Sequence, residues 1–453
     1  MTDLLVPRGT AADDLPGPDG KPSGAAGAGA AVARRRRFRR TRRALRLRSV
    51  RVVLVLWAVL GLVVGHSVSL TLTAPGTDSI AARLSIWARD HRAGALVTMA
   101  ERLSYTPPKV GGAPAQGIEA ASAGTRDVAS PPAATPAASG SVIGGHPMPA
   151  EAEREAALAA RTPTPPPPPP APELKGPVTL PAPDNIAPIA GTPIQDEGIW
   201  QTLESAGGVP LVRAAYLRAD PIYTSYLSAV AWLDTKMLGF DLQPGTSDPG
   251  GGPWPAGASL PPGERRDVVA AFNSAFRMVD SRGGFYLGGK TVGTMRDGAA
   301  TIVFYNDGSV QVGAWNRQVK MTPEVLGARQ NLDLIVDDAQ VNPLINDNSG
   351  NRWGATLGND LYVARSGVGI TATGALVYAT GPRLSAATLA QLLVRAGAIL
   401  AMELDINPSW TIFVHYAATP DGSVPNKLLS SMQRPATLYD TPNSRDFIVA
   451  RLR

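Results

Sequence analysis

The stretch RSGVGITATGALVYATGPRLSAATLAQLLVRAGAILAMELDINPSW, residues 365–410, carries the clearest structural pattern of the chain. It predicts a β-hairpin that turns at Thr373-Gly374, followed by an amphipathic helix and an interior strand. Ser385 is a favourable N-cap because its hydroxyl accepts a hydrogen bond from a free N–H of the first helical turn. Gly397 lies near the helix end, where glycine adopts a left-handed turn at little cost.

The predicted interior strand, residues 399–407, ends in polar side chains. With a period of two, Glu403, Asp405 and Asn407 share one face of this strand. Strand rise separates the two carboxylates by about 6.5 Å. Carboxylates at the end of a buried strand are costly unless they are paired or used in chemistry. This strand end is therefore the first place to look for a site.

The stretch resembles the phosphodiester glycosidase domain family. In that family an arginine precedes a small-residue–Val/Ile–Gly strand, as Arg365 does here. A helix with a Leu-Ala-x-Leu-Leu-x-x-x-Gly-Ala pattern follows, as at residues 389–398, and leads to Ala-x-x-Leu-Asp-Gly-Gly-Gly-Ser, matched at residues 401–405. The Asn-Gly-Gly-Phe motif of an upstream strand corresponds to residues 273–276. The resemblance covers roughly residues 205–453.

The resemblance implies hydrolysis of the bond between a sugar anomeric carbon and a phosphodiester. It implies that Asp405 acts as a catalytic base or nucleophile, and Glu403 is a second candidate that divides acid and base roles with it. Arg365 is the candidate phosphate clamp, because a guanidinium matches two phosphate oxygens. Each has a structural alternative: a turn cap for Asp405, a salt bridge for Glu403 and a surface position at a strand edge for Arg365.

Four further side chains are candidates for substrate binding. Asn273 lies in an apolar strand, so its amide must be satisfied by substrate or by protein. Asn407 would hold a sugar hydroxyl, and Trp410 either stacks on a sugar ring or packs in the core. Lys290 ends a glycine-rich stretch that lacks the Gly-Lys-Ser/Thr ending of a nucleotide P-loop, so we expect a hairpin there. Its ammonium can still reach an anionic substrate.

Two glycine motifs of the family are changed in this chain. Asp405 is followed by residues 406–408, Ile-Asn-Pro, and Asn273 is followed by residues 274–275, Ser-Ala. Glycine lets a backbone approach a ligand closely and adopt positive φ, so its loss predicts a reshaped pocket. This version resembles a bacterial, actinobacterial, membrane-anchored branch of the family. The alternative is a non-catalytic cell-envelope glycan-binding or tethering module on the same fold.

Composition excludes several classes of chemistry. The chain has no cysteine, which rules out thiol catalysis, disulfides and cysteine metal centres, and its four histidines show no metal-ligand spacing. We expect no cofactor, although a divalent cation stays open. The formal charge of +6 arises from eleven arginines within residues 34–51, without which the remainder carries −5. We therefore expect no nucleic-acid partner.

The N-terminal part has the organisation of a membrane anchor. Residues 1–51 predict a disordered basic cytoplasmic tail, and residues 52–72 predict a transmembrane helix. Arginines before the apolar run predict a cytoplasmic N-terminus and an extracytoplasmic C-terminal domain in a single-pass protein of the cell membrane. A cleaved signal peptide is the alternative. Residues 73–105 predict a juxtamembrane helical segment with a possible role in self-association.

The rest of the chain divides into a linker and one domain. Residues 106–198 predict a disordered Pro/Ala-rich linker, whose proline run favours extended polyproline II and a spacer role. Residues 199–453 predict the phosphodiester-glycosidase-like domain, of α+β class, with a strand-rich mixed sheet and few packed helices. An envelope glycopolymer or glycolipid with phosphodiester links is the expected substrate.

Overall fold

The structure is a computed structural model. It describes residues 50–73, 80–94, 96–97, 99, 103, 105–118, 124–126, 178–356, 361–420 and 422–453. The predicted tail up to residue 49 and the proline run of the linker lie outside the described residues. The chain divides into two compact units, residues 1–73 and 74–453.

The first unit contains one described helix, α1, at Val50–Thr73. Its 24 residues extend over about 36 Å at 1.5 Å per residue, which is enough to cross the hydrocarbon core of a bilayer. Its length and apolar composition fit the predicted single-pass anchor at 52–72.

The second unit contains nineteen strands within its described residues. They are β1 Gly124–Arg126, β2 Gln201–Ala206, β3 Val209–Leu217, β4 Ser228–Leu233, β5 Leu238–Gln243, β6 Val268–Asn273, β7 Phe285–Leu287, β8 Lys290–Val292, β9 Ala300–Tyr305, β10 Val310–Ala314, β11 Val325–Gln330, β12 Leu334–Asp337, β13 Gln340–Val341, β14 Val363–Thr371, β15 Leu376–Leu384, β16 Ala398–Glu403, β17 Phe413–Thr419, β18 Gly422–Lys427 and β19 Phe447–Leu452. Its described helices are α2 Ile80–Asp90, α3 Met278–Ser281 and α4 Ala386–Arg395, with 3₁₀ turns at Pro262–Glu264, Ser349–Asn351 and Ala436–Asp440.

The strands form three sheets. The largest has the order β1-β2-β3-β4-β15-β14-β16-β12-β13, and two five-stranded sheets have the orders β10-β9-β11-β7-β8 and β18-β17-β6-β19-β5. Most pairs are antiparallel, while β1 runs parallel to β2. A strand-rich α+β fold with few helices is confirmed.

The nine-stranded sheet is covered on both faces. Along β15, Leu376 and Tyr378 join the core shared with the five-stranded sheets, whereas Val377 and Ala379 join the core under α4. This alternation follows from the period of two in a strand. Both faces of β15 are apolar because both are buried, and β16 lies in the same sheet between β14 and β12.

The local predictions for residues 365–410 agree with the structure. β14 and β15 form a hairpin across Thr373-Gly374. The Ser385 hydroxyl accepts a hydrogen bond from the Thr388 N–H at 3.0 Å, and α4 follows at once. Gly397 has a φ of +90°, the left-handed conformation expected at the helix end.

Some described residues of the predicted linker at 106–198 contact the domain. β1 belongs to the nine-stranded sheet, and Arg126 within it donates to the carbonyls of Arg266, Val268 and Tyr416. Ile186 is also buried in the core under α4. Composition did not reveal these contacts because each of them joins residues that are far apart in the sequence.

Candidate functional site

Asp405 lies just beyond the end of β16, in the loop that leads to β17. Its Oδ1 accepts a hydrogen bond from the Asn407 N–H at 2.9 Å, and its Oδ2 accepts one from Arg445 Nη2 at 2.9 Å. Its backbone carbonyl accepts from the hydroxyls of Ser366 and Thr411 at 2.8 and 3.1 Å. The carboxylate is only 6% exposed and is fixed on both oxygens.

A cleft of about 430 Å³ opens at this carboxylate. The loop after Asp405 contributes Asn407 and Trp410 to its lining, and the segment after β6 contributes Arg277. Helix α2, from the predicted juxtamembrane segment, contributes Arg89. The volume is that of an ordinary small-molecule site. The cleft therefore brings together three of the residues singled out in the sequence.

Arg445 connects Asp405 to a buried network of charges. Its Nε lies 3.5 Å from Asp248 Oδ2, and Asp248 in turn lies 3.8 Å from Arg329 Nη2. Arg329 also donates to Asp446 at 2.9 Å. Three carboxyl groups thus share two guanidinium groups. Burial raises the pKa of Asp405, while Arg445 and the Asn407 N–H oppose that rise.

Trp410 contacts two arginine side chains through its indole ring. The guanidinium carbons of Arg434 and Arg445 each lie 5.4 Å from its ring centroid, within cation–π distance. Its backbone N–H donates to the Asn407 carbonyl at 2.8 Å. The indole is thus held in one place where it lines the cleft.

Arg365 and Glu403 bind each other in the interior and do not line the cleft. Arg365 is 2% exposed, and its guanidinium donates to Glu403 Oε1 and to the carbonyls of Leu384 and Trp353. Glu403 is 1% exposed, and its Oε2 has no hydrogen-bond partner among the described residues. The structural alternative of a salt bridge for Glu403 describes this geometry, whereas a surface position at a strand edge for Arg365 does not, because Arg365 is buried on β14 between β15 and β16.

The protonation of Glu403 reflects its burial. Burial raises the pKa of Glu403 to about 7, and the positive charge of Arg365 opposes this rise. The free Oε2 is consistent with this direction, because an ionised carboxylate would leave a charged oxygen without a donor.

Asn273 has its hydrogen-bonding capacity filled by protein groups. Its Nδ2 donates to the Ser366 hydroxyl at 2.9 Å and to the Ser274 carbonyl at 3.2 Å. Its Oδ1 accepts from the Tyr378 hydroxyl at 2.9 Å and from the Ile412 N–H at 3.1 Å. A side-chain amide has two donors and two acceptor positions, so none is left for a substrate. Asn273 ties β6, β14, β15 and β17 together behind Asp405.

Lys290 lies elsewhere on the domain. It is on β8, where its ammonium donates to the Gly251 carbonyl and sits 4.9 Å from the Trp254 ring centroid. Lys290, Gly251 and Trp254 do not line the cleft at Asp405. The glycine-rich stretch before it forms the hairpin β7–β8, as predicted.

Arg277 is a residue of the cleft that the sequence did not single out. Its side chain is 19% exposed, with Nη1 at 2.9 Å from Asp90 and Nε at 2.8 Å from Asp280. It follows Phe276, the last residue of the changed Asn-x-x-Phe motif, and this adjacency is the signal that points to it. Arg445 had no comparable signal, because its pairing with Asp405 spans 40 residues of sequence.

The changed glycine motif has a visible packing consequence. Ile406, which replaces the first glycine after Asp405, packs beside Phe276 at the cleft. A Cβ on Gly354 would lie 2.8 Å from the Phe276 ring and 2.9 Å from Ile406 Cδ1. Bulk at 406 is therefore matched by a glycine at 354 with a φ of +83°. An apolar contact thus lies next to the carboxylate.

In the described ranges, no three His, Cys, Asp or Glu side chains come together as metal ligands. The side chains in the lining of the cleft offer the carboxyl groups of Asp280 and Asp405, guanidinium groups, an amide and an indole.

Comparisons with known proteins agree with the resemblance seen in the sequence. Residues 266–436 match the family model of phosphodiester glycosidase. Among solved structures, the catalytic domain of zebrafish N-acetylglucosamine-1-phosphodiester alpha-N-acetylglucosaminidase, auto-inhibited by pro-peptide, is 14% identical, with a TM-score of 0.37 over 55% of this chain and 85% of that chain. A hypothetical protein from Synechocystis is 12% identical, with a TM-score of 0.33 over 58% of this chain and 64% of that one. A search of curated proteins finds no match.

The matched range contains Asn273, Arg277, Arg365, Asp405 and Trp410, while Arg445 lies beyond it. Residues 266–436 of this chain are therefore similar to a phosphodiester glycosidase domain.

Proposed function

We propose that this protein hydrolyses the bond between the anomeric carbon of a sugar and a phosphodiester. The observation that carries the proposal is the position of Asp405, a fixed and mostly buried carboxylate at the base of a cleft with arginines and an indole in its lining. This set supplies what the reaction needs: a carboxylate near the anomeric carbon, cations for the phosphate and an aromatic surface for the sugar.

Asp405 is the proposed catalytic carboxylate. It activates a water molecule or stabilises the oxocarbenium-like centre that forms as the bond to phosphate breaks. The phosphomonoester that leaves is already a good leaving group, so the site has little need of a strong acid. Arg445 is a positioning residue, because its hydrogen bond holds Asp405 Oδ2 in place. Glu403 is too enclosed by Arg365 to share the chemistry directly.

Arg277 is the proposed phosphate-binding residue in place of Arg365. It reaches the cleft, and its Nη2 remains after the contacts of Nη1 and Nε with Asp90 and Asp280. A guanidinium in this position can bind phosphate oxygens by charge-assisted hydrogen bonds. Asn407 and Trp410 are proposed to bind the sugar, through a side-chain amide and the face of an indole.

The proposed setting is the outer side of a cell membrane. α1 serves as a single-pass anchor with a cytoplasmic N-terminus, supported by its apolar length and by the arginines that precede it. The proposed substrate is an envelope glycopolymer or glycolipid with phosphodiester-linked sugars. Because α2 contributes Arg89 to the cleft, we propose that the juxtamembrane segment helps to line the substrate site, besides its possible role in self-association.

Sugar release from α- and β-linked sugar-1-phosphodiesters by the full-length protein tests the proposal. We expect turnover on at least one of these substrates. Arg277→Gln should raise KM about tenfold or more, because a charged hydrogen bond to phosphate is lost. Arg282→Gln, an exposed arginine five residues away that does not line the cleft, is the matched control and should leave KM unchanged. Equal effects of the two variants would contradict the role of Arg277.

A glycan-binding module without turnover is the second candidate. Ile406 favours it, because this side chain takes up space beside the carboxylate where the family has glycine. The folded wild-type protein would then bind the same sugar-1-phosphodiesters in calorimetry and release no sugar. Release of sugar would exclude this candidate.

A further inference from the structure

A second and larger cavity, of about 850 Å³, lies between the strands β2 and β3 and the hairpin β17–β18. It has no lining residue in common with the cleft at Asp405. Its volume is within the range of small-molecule sites. The phosphodiester glycosidase chemistry makes no use of it.

The cavity has a buried histidine–carboxylate pair at its wall. His415 Nδ1 lies 2.8 Å from Glu204 Oε1, and the Glu204 side chain is completely buried. Its other oxygen has no hydrogen-bond partner among the described residues, and the nearest cation, Arg126 Nη2, is 4.0 Å away. This hydrogen bond occupies Nδ1 of the His415 ring. Nε2 is then the ring nitrogen left for a ligand in the cavity.

Lys427 adds a positive charge to the same cavity. Its ammonium donates to the carbonyls of Ser430 and Met432 at 3.1 and 2.8 Å. An ammonium carries three N–H donors, so one is left for a ligand. Of the described side chains that line the cavity, none is acidic. The polar part of the lining therefore favours an anion.

The remaining lining is largely apolar. Leu203, Tyr216, Leu428 and Leu429 contribute to it, and Ile118 closes it from the segment that precedes β1. A cavity of this size with a largely apolar lining favours a chain of several methylene groups, because the lining removes them from water.

We propose that this cavity is a binding site for an amphiphile, a molecule with an alkyl chain and an anionic head group. The head group contacts His415 and Lys427, and the chain lies against the leucines. The proposal is independent of the glycosidase activity, because the two sites have no lining residue in common.

Calorimetry on the full-length protein in phosphatidylcholine nanodiscs tests the proposal, with empty nanodiscs as the blank. The probes are octyl phosphate, octanol and inorganic phosphate. We expect octyl phosphate to bind with one site per chain. We expect octanol, which lacks the charge, and inorganic phosphate, which lacks the chain, to bind about tenfold more weakly or worse.

Two variants connect binding to the cavity. His415→Gln and Lys427→Met should each weaken the binding of octyl phosphate by about tenfold, while Lys320→Met, at an exposed position away from the cavity, should leave it unchanged. Lys427→Met keeps the aliphatic stem, and circular dichroism verifies that each variant is folded. Equal binding of octanol and octyl phosphate, octyl phosphate binding that both cavity variants retain, or heat no greater than the blank would each overturn the proposal.

Discussion

Replacing Glu403 by glutamine should remove a specific part of the pH dependence of stability. Burial raises the pKa of Glu403 from 4.5 to about 7 in the folded protein. Between these values the folded protein keeps a proton that the unfolded chain has released, so the free energy of unfolding falls as the pH rises. A difference of this size corresponds to about 3 kcal/mol, present in full below pH 4.5 and lost above about pH 7. The amide in Glu403→Gln cannot titrate, so this contribution vanishes in the variant.

Urea unfolding of the full-length protein in neutral detergent, followed by tryptophan fluorescence between pH 4.5 and 8, measures this effect. Wild type should lose about 3 kcal/mol more than Glu403→Gln across the range. Asp248, whose pKa is also raised by burial, contributes to both proteins and cancels in the difference. If the free energy of unfolding has the same pH slope in the two proteins, the raised pKa of Glu403 is refuted. A steeper fall with pH in the variant would mean that folding lowers this pKa.

Three further changes test other parts of the site and the fold. Arg445→Met removes the charge that opposes the raised pKa of Asp405, so the rising limb of the kcat/KM profile should move to higher pH, and an unmoved limb would contradict the pairing. Ser385→Ala should lower the free energy of unfolding by about 1 kcal/mol through loss of the helix cap, whereas Ser385→Thr should retain most of it. Gly354→Ala should cost more than about 1 kcal/mol, because its φ of +83° and its close neighbours both resist a methyl group, and an unchanged urea midpoint would contradict this.

Local features of the fold were predictable because their causes are local. The hairpin around Thr373-Gly374, the cap at Ser385 and the left-handed Gly397 follow from preferences within a few residues. The apolar helix at 50–73 follows from composition alone. These are interactions between near neighbours in sequence.

The arrangement of the site depended on long-range contacts that periodicity does not contain. A period of two placed Glu403 and Asp405 on one face, but β16 ends at Glu403, so the two carboxylates turn to different partners. Glu403 pairs with Arg365 on the neighbouring strand, and Asp405 pairs with Arg445 from a distant loop. Which arginine meets which carboxylate is decided by strand order and loop packing, and a single sequence gives neither.

The most direct test compares two carboxylate-to-amide changes that stand two residues apart. The turnover of a sugar-1-phosphodiester by Asp405→Asn and Glu403→Gln is measured at pH 6, and circular dichroism verifies that each variant is folded. Because Asp405 faces the cleft and Glu403 is enclosed by Arg365, kcat should fall by about a hundredfold or more in Asp405→Asn and should be nearly unchanged in Glu403→Gln. Full activity in Asp405→Asn, or an equal loss in both variants, would contradict the assignment of Asp405 as the catalytic carboxylate.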